Sequence, residues 1–337
     1  MFQFYFHMSK IKKKGPVTGF TAYWKPQSGL WYLVAVISVL VTLVVDVFVP
    51  DSQSVNTLPY QIFLGIFIAI LIVLWIISIK VKTLRKILYH QAQFIFAVGF
   101  VLSVWDILTT KSNILQLPFF PGPAQIISVI VSERETFLIS SYYSLRLFSI
   151  GLILGTILGI GTGILIGWYR QWYYWLFPVI KIIGIIPPIA WIPIAVVVFP
   201  NSFIAGLFLI VIASLFPVAF MVSVGIASTP RVYYEAARTL GANERFLLTH
   251  VAIPNAVPDI FTGLTTATGF SFLTLIVSEM IGAKAGLGWY INWAKTWSAY
   301  DKVYASIVIM ALVFSIILAV LNSTKNYVLR WKKGISK

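Results

Sequence analysis

The chain has 337 residues, of which 59% are hydrophobic and only 10% are charged, and its formal net charge is +15. Soluble domains carry about a quarter charged residues, so this composition excludes an ordinary soluble enzyme and a disordered chain. The mean hydropathy of +0.90 indicates a protein that crosses a membrane several times. The sequence contains no cysteine, which excludes disulfides, thiolate metal sites and cysteine nucleophiles.

Apolar runs of about 18 residues or more can cross a bilayer as helices, and the chain contains eight such candidates. The third run is short, so we expect it to extend into its flanks. The fifth contains Pro187, Pro188 and Pro193 and is predicted to be kinked, since each proline removes a backbone donor. The predicted spans are 31–49, 60–79, 94–108, 146–168, 173–199, 203–227, 262–281 and 303–322.

Eight spans place both termini on one side of the membrane. Most of the 25 Lys and Arg residues then fall on that same side, in the two termini and in the even-numbered connections. This asymmetry is the positive-inside signal, so both termini and the connection 228–261 are predicted to be cytoplasmic. The same distribution accounts for the net charge without any nucleic-acid partner.

The order of the spans suggests three regions. Residues 1–93 form an N-terminal extension with two spans, residues 94–327 form a six-span core, and residues 328–337 form a basic cytoplasmic tail. In the fourth span glycine recurs at every fourth position, which leaves one helix face almost free of side chains. This face is predicted either to pack closely against another helix of the same chain or to slide against a partner helix. The glycines are Gly151, Gly155, Gly159, Gly163 and Gly167.

The connection 228–261 is predicted to form a helix, a glycine turn and a second helix. Thr229 is placed to cap the first helix, with Pro230 at its first position. Gly241 is the expected stop, because glycine readily adopts positive φ. Asn243 is placed to cap a short helix over 244–251, and Pro254 and Pro258 are expected to close the segment.

These residues resemble a known family. The segment that begins at Glu235 is similar to the EAA loop of ABC importer permeases. It reads Glu235-Ala236-Ala237, then Gly241 after three residues, then Val251-Ala252-Ile253-Pro254 after nine more, where the family pattern ends I-x-L-P. Further segments, among them Ser278-Glu279-Met280-Ile281-Gly282-Ala283, resemble the nitrate/sulfonate/taurine branch of the binding-protein-dependent permeases. The resemblance covers about residues 94–325 and leaves 1–93 without a family assignment. We call residues 228–261 the EAA loop.

The resemblance implies an all-α membrane fold with a six-helix permease core and no bound cofactor. It implies work as a transport subunit in a bacterial inner (plasma) membrane, moving a solute such as nitrate, a sulfonate or taurine, bicarbonate or a thiamine pyrimidine precursor. The implied partners are cytoplasmic ABC ATPase subunits, an extracytoplasmic substrate-binding protein and a second permease subunit, identical or related. The sequence has no G-x4-G-K-[ST] phosphate loop, so ATP hydrolysis is expected on a separate subunit.

Within the EAA loop, the resemblance implies that a cleft on the ATPase receives the helices. Ala236 and Ala237 would allow close approach, and Gly241 would make the turn between the helices. Glu235 would either contact the partner or hold the loop's own shape, and Arg238 would either contact the partner or serve orientation. Ile253 and Pro254 complete the motif.

Ionisable groups in predicted spans are candidates for function. Asp46 and Asp106 lie near span ends and are predicted to be solvated. Arg146 would either attract an anionic substrate or anchor the span, with Glu133 or Glu135 as a partner. Glu279 would either pair with Lys284 or line a gate.

Two other classes of function compete with an ATP-driven importer. An ion-coupled secondary transporter predicts polar groups near the membrane centre and internal repeats, neither of which is evident in the sequence. A membrane enzyme would need a reactive constellation, whereas the three histidines, His7, His90 and His250, are far apart and have no metal-ligand spacing. The EAA loop favours the importer over both alternatives.

Overall fold

The computed structural model describes residues 29–52 and 55–331, and all regular structure in these ranges is helical. The chain divides into two compact units, Met1–Ser128 and Val129–Lys337. The N-terminal basic cluster and the last three lysines, which contribute to the predicted topology, lie outside the described residues.

The described part of the N-terminal unit contains three long helices. They are α1 (Gly29–Phe48), α2 (Leu58–Lys80) and α3 (Lys82–Asp106), the last extended by a π-helical turn, Ile107–Lys111. Each passes the length and hydropathy criteria for a membrane span. Their shared core is apolar, with the Tyr32 hydroxyl donating to the carbonyl of Leu71 at 2.7 Å. The short helix α4 (Pro123–Ser132) follows and carries the chain into the second unit.

Among the described residues, the C-terminal unit contains four long spans, one bent pair of helices and three shorter helices. The elements are α5 (Arg134–Trp168), α6 (Arg170–Ile185), α7 (Ile192–Val198), α8 (Ser202–Ala227), α9 (Arg231–Thr239), α10 (Glu244–Phe246), α11 (Ile253–Gly282), α12 (Leu287–Thr296) and α13 (Tyr300–Val328). A π-helical stretch, Leu247–Ala252, joins α10 to α11, so that Glu244–Gly282 runs as one 39-residue helical segment.

The predicted kink in the fifth span is confirmed. Helix α6 ends at Ile185, and the following helical segment, Pro188–Val198, is bent from it by 94°. Ile186 is extended, as expected of a residue before proline. Among the described residues, seven helices are long and apolar enough to cross a membrane, or eight when the bent pair counts as one span.

The predicted close packing of the fourth span is also confirmed within the chain. A Cβ at each of the five glycines of α5 would lie within about 3 Å of α8, and the closest approach is 1.8 Å, at Gly155. The facing residues on α8 lie a constant 59 positions further along the chain, so α5 and α8 are parallel. The intervening bent pair must therefore return the chain to the other end of the unit, which supports its status as a span. The facing residues are Ile210, Ser214, Val218, Val222 and Ile226.

Candidate functional site

The turn of the EAA loop has the conformation that its sequence predicts. Gly241 has φ +86°, and the amide of Ala242 donates to the carbonyl of Ala237 at 3.0 Å, which closes the end of α9. A Cβ at Gly241 would meet no atom within 4 Å. Glycine is therefore favoured here by backbone conformation rather than by lack of space.

The helix after the turn begins as predicted but ends elsewhere. The Asn243 side chain accepts a hydrogen bond from the amide of Phe246 at 2.9 Å, as an N-cap should. The expectation that Pro254 and Pro258 close the segment is wrong. The helix continues through both. The π-helical turn before Ile253 places Pro254 in the first turn of α11, where its missing N–H costs little, whereas Pro258 lies inside that helix.

The predicted cap on the first helix is also wrong. Pro230, not Thr229, occupies the N-cap position of α9, and no side chain caps that helix. The Thr229 hydroxyl instead accepts a hydrogen bond from the side-chain amide of Asn255 at 3.1 Å. Since Asn255 belongs to α11, this contact ties the start of α9 to the long helix. Tyr234 adds a second attachment, because its ring lies 5.8 Å from that of Trp168 at the end of α5.

The motif residues divide into an exposed group and a half-buried group. Glu235 and Ala236 are exposed, whereas Ala237, Ile253 and Pro254 are half-buried. Arg238 and Glu244 form an ion pair of 2.7 Å across the glycine turn, with both side chains largely exposed. A surface pair of this kind contributes about 0.5 kcal/mol at most, so it adjusts the shape of the turn more than it stabilises the fold.

Apolar side chains at the tip of the loop form a surface that the sequence reasoning missed. Leu240, beside the turn, is 90% exposed, and Val232 and Phe246 are also exposed. Large exposed apolar residues within one short connection are candidates for contact with another protein. A signal was present in the sequence, since all three are large apolar residues within a predicted connection.

At the opposite end of α11, which we call the far end, Glu279 lies in a closed hydrogen-bond network. The Ser144 hydroxyl donates to its carboxylate at 2.7 Å, and the Gly288 amide donates at 2.8 Å. The Leu287 amide in turn donates to the Ser144 oxygen at 2.8 Å. The side chain is 2% exposed and joins α5, α11 and α12. The expected pairing with Lys284 is absent from the described ion pairs.

Two glycines make room for this carboxylate. Gly286 has φ +129°, and a Cβ there would lie 2.5 Å from the carboxyl carbon of Glu279. A Cβ at Gly288 would lie 2.6 Å from the carbonyl oxygen of Ile276. The Gly-Leu-Gly segment therefore brings the Gly288 amide to the buried carboxylate and the Leu287 amide to Ser144, a role that its sequence pattern did not reveal.

Arg146 and Glu133 also lie at the far end but do not pair. The Arg146 guanidinium is exposed and stacks over the ring of Phe203 at 5.1 Å, so the expected bridge to Glu133 or Glu135 is wrong. Glu133 instead contacts Lys302 and Tyr290. Partial burial would raise the pKa of Glu133, but the hydrogen bonds from these two residues and the charge of Lys302 outweigh it and hold the pKa below its ordinary value.

The expectation that Asp46 and Asp106 are solvated is wrong. Their exposed fractions are 3% and 0%, because α1, α2 and α3 enclose the ends at which they lie. The signal that the sequence reasoning missed is the spacing of polar residues within apolar helices. Ser38, Thr42 and Asp46 recur every fourth residue on α1, which places them on one face.

Comparison with known proteins assigns the class. Residues 151–333, more than half of the chain, match the family described as the binding-protein-dependent transport system inner membrane component. The chain belongs to this family and is therefore a membrane-embedded permease subunit of the ABC importer type, as the EAA loop predicted.

Two relatives carry specific names. The nitrate import permease NrtB of Leptolyngbya laminosa is 29% identical over 248 residues, covering 69% of this chain and 82% of that protein. The bicarbonate transport system permease CmpB of Synechococcus elongatus is 35% identical over 165 residues, covering 49% of this chain and 58% of that protein. A solved structure of the MetNI methionine ABC transporter, in an inward-facing conformation, covers 58% of this chain and 98% of its own chain. Its TM-score is 0.51 at 18% identity, which shows a shared fold alone.

Proposed function

We propose that the chain is the permease subunit of an importer for a small oxyanion such as nitrate or bicarbonate, energised by a separate ATPase through the EAA loop. The family supports an importer that works with a binding protein. The names of the two relatives support the substrate class. A bacterial inner membrane, a cytoplasmic EAA loop, paired ATPases and a second permease subunit complete the proposal.

The observation that carries the coupling role is the continuity between the loop and a long helix. The segment Glu244–Gly282 begins at the glycine turn and would span about 60 Å if it were wholly α-helical. Its far end carries Glu279, which is hydrogen-bonded to α5 and α12. A displacement imposed on the turn is therefore carried by one rigid element to helices at the other end of the unit. Such a lever suits alternating access by rigid-body movement.

Three exposed apolar residues near the glycine turn, which we call the apolar tip, are proposed to contact the ATPase. Leu240, Val232 and Phe246 expose apolar surface that a cleft on an ATPase would cover, and burial of that surface favours docking. Ala236 presents almost no side chain and permits close approach. Arg238 is engaged with Glu244, so we assign it to the shape of the turn and leave Glu235 as the exposed acidic contact.

At the far end, Arg146 is our candidate for attracting an anionic substrate, because its guanidinium is exposed. Glu279 is less suited to line a gate, since its carboxylate is buried and satisfied by hydrogen bonds. We therefore propose that Glu279 positions helices around the path and does not itself contact the solute.

The conformation of the turn is tested with two substitutions at one position. The chain would be co-expressed with the ATPase subunit encoded beside it, and the complex purified from membranes. Because the space around Gly241 is open, Gly241→Asn should retain the ATPase, since Asn tolerates positive φ. Gly241→Val should lose the ATPase or its solute-stimulated hydrolysis. Equal behaviour of both variants and the unmodified protein would contradict a role for the turn.

The apolar tip is tested with a matched pair of charge substitutions. Leu240→Asp should abolish ATPase retention, because it places a charge in the proposed contact. Trp297→Asp is the control, since Trp297 is 71% exposed and lies after α12 at the far end. Loss of the ATPase from both variants would indicate general damage. Retention in both, with unchanged hydrolysis, would rule out Leu240 as a docking residue.

A further inference from the structure

A group of buried oxygen atoms without hydrogen-bond partners lies in the N-terminal unit. Each of these oxygen atoms is shielded from solvent and neither accepts nor donates a hydrogen bond. They are both carboxylate oxygens of Asp46 and of Asp106, the hydroxyl of Tyr60 and the hydroxyl of Thr110. All four residues are at most 3% exposed. They come from α1, α2, α3 and the π-helical turn after α3, so each of these three long helices contributes.

The register of the helices brings these groups together. A Cβ at Gly99 would lie 2.5 Å from the Ser38 hydroxyl, and the Thr42 hydroxyl is 2.6 Å from that of Ser103. The helices α1 and α3 are therefore parallel, with facing residues about 61 positions apart. One turn further along, the same register brings Asp46 opposite Asp106. The two carboxylates interact electrostatically with each other and with the Tyr60 phenol.

The nearest cation is already committed elsewhere. The Lys111 ammonium group donates to the carbonyls of Asp46 and Val49 at 2.9 and 2.8 Å, and to the carboxylate of Asp51 at 2.6 Å. An ammonium group has three donors, so none remains for the Asp46 carboxylate, which lies 3.9 Å away. Gln61 faces Asp46 and Thr110 faces Asp106, but neither reaches hydrogen-bond geometry with a carboxylate oxygen.

Two buried carboxylates left in this state would be costly in a unit surrounded by lipid. Buried carboxylate, phenol and hydroxyl oxygens that make no hydrogen bond are free to act as ligands to a shared ion. An oxygen-only ligand set suits a hard cation. The ligand set has only two carboxylates, and Lys111 adds positive charge beside it, which favours a monovalent ion over a divalent one.

We propose that Asp46, Asp106, Tyr60 and Thr110 form a binding site for a sodium ion within the three-helix N-terminal unit. The ion links α1, α2 and α3 near the C-terminal ends of α1 and α3. The site is separate from the EAA loop and does not depend on the transport assignment.

The site is tested on the full-length protein, purified in detergent, with sodium chloride replacing choline chloride at constant ionic strength. The apparent melting temperature of the unmodified protein should rise with sodium and saturate, and radioactive sodium should bind once per chain. Asp46→Asn and Asp106→Asn should lose both effects. Tyr60→Phe removes one neutral ligand and should weaken the apparent affinity roughly tenfold. This milder variant keeps the test decisive if an Asn variant fails to fold.

The control is Asp51→Asn, which neutralises an aspartate of the same unit that contacts Lys111 but contributes no atom to the site. Its sodium response should persist, even if its starting stability changes. An unchanged sodium response in Asp106→Asn or Tyr60→Phe would overturn the proposal. If acid stabilises the unmodified protein and sodium does not, the carboxyl groups of Asp46 and Asp106 are protonated rather than bound to an ion, and the proposal is wrong. A stronger response to calcium than to sodium would overturn the monovalent assignment.

Discussion

Each unit of the chain packs a pair of parallel helices side by side, but the two pairs are held together by different means. In the C-terminal unit, the glycines of α5 admit the side chains of α8, and the contact is mostly apolar. In the N-terminal unit, hydroxyl groups join α1 to α3, as where Thr42 meets Ser103. Helices in lipid gain little from hydrophobic burial, so close backbone approach and hydrogen bonds are the two available means.

The buried carboxylates of the two units differ in the same way. Glu279 receives donors from Ser144 and from the backbone of Gly288, so its charge is balanced by fixed dipoles. Asp46 and Asp106 receive none. Hydrogen bonds offset the cost of burying a carboxylate, whereas an unsatisfied pair needs something that supplies positive charge.

The largest expected effect comes from neutralising one carboxylate in each unit. Glu279→Gln should destabilise the protein by about 2 kcal/mol, because the amide nitrogen would face a backbone or hydroxyl donor. In sodium-free buffer, Asp106→Asn should be as stable as the unmodified protein or more stable. Thermal unfolding followed by tryptophan fluorescence in one detergent measures both. Similar destabilisation by the two substitutions would remove the distinction between the units.

An effect of similar size is expected from filling the glycine contact. Gly155→Ala should cost about 1–3 kcal/mol, because its Cβ would lie 1.8 Å from the Ser214 hydroxyl oxygen and 2.9 Å from the carbonyl oxygen of Val211. Gly161→Ala is the matched control on the same helix, where a Cβ meets nothing within 4 Å. The control should be neutral or stabilising by about 0.5 kcal/mol. If the two variants unfold at the same temperature, the helices are not in tight contact.

The smallest effect is expected from one hydroxyl in the N-terminal pair. Thr42→Val keeps the volume of the side chain but removes its hydrogen bonds to Ser103 and to the carbonyl of Gly99. The expected loss is about 0.6 kcal/mol, the usual size of such bonds between membrane helices. Comparison of melting temperatures with the unmodified protein measures it. A loss as large as that of Glu279→Gln would mean that hydroxyl groups carry more of this unit's stability than we infer.

The membrane class, the approximate positions of the spans and the EAA loop could all be predicted from the sequence alone, although several spans begin earlier than predicted. Apolar runs of bilayer length leave few alternatives to helix, because backbone groups in lipid must be satisfied within the segment. Local rules also determined the positive φ of Gly241, the cap at Asn243 and the bend after Ile185, since each depends on a few neighbouring residues.

Which polar groups contact one another depends on how distant helices pack, and the sequence did not reveal it. Glu279 and Ser144 are 135 positions apart, and the partners of Glu133 are also distant in sequence, so no local pattern could pair them. The burial of Asp46 and Asp106 likewise depends on how three helices enclose one end. The helix continues through Pro254 because of the π-helical turn before it, and no residue pattern predicted that turn. Span prediction depends on composition, whereas pairing within the membrane depends on register, and register is fixed only when the helices pack.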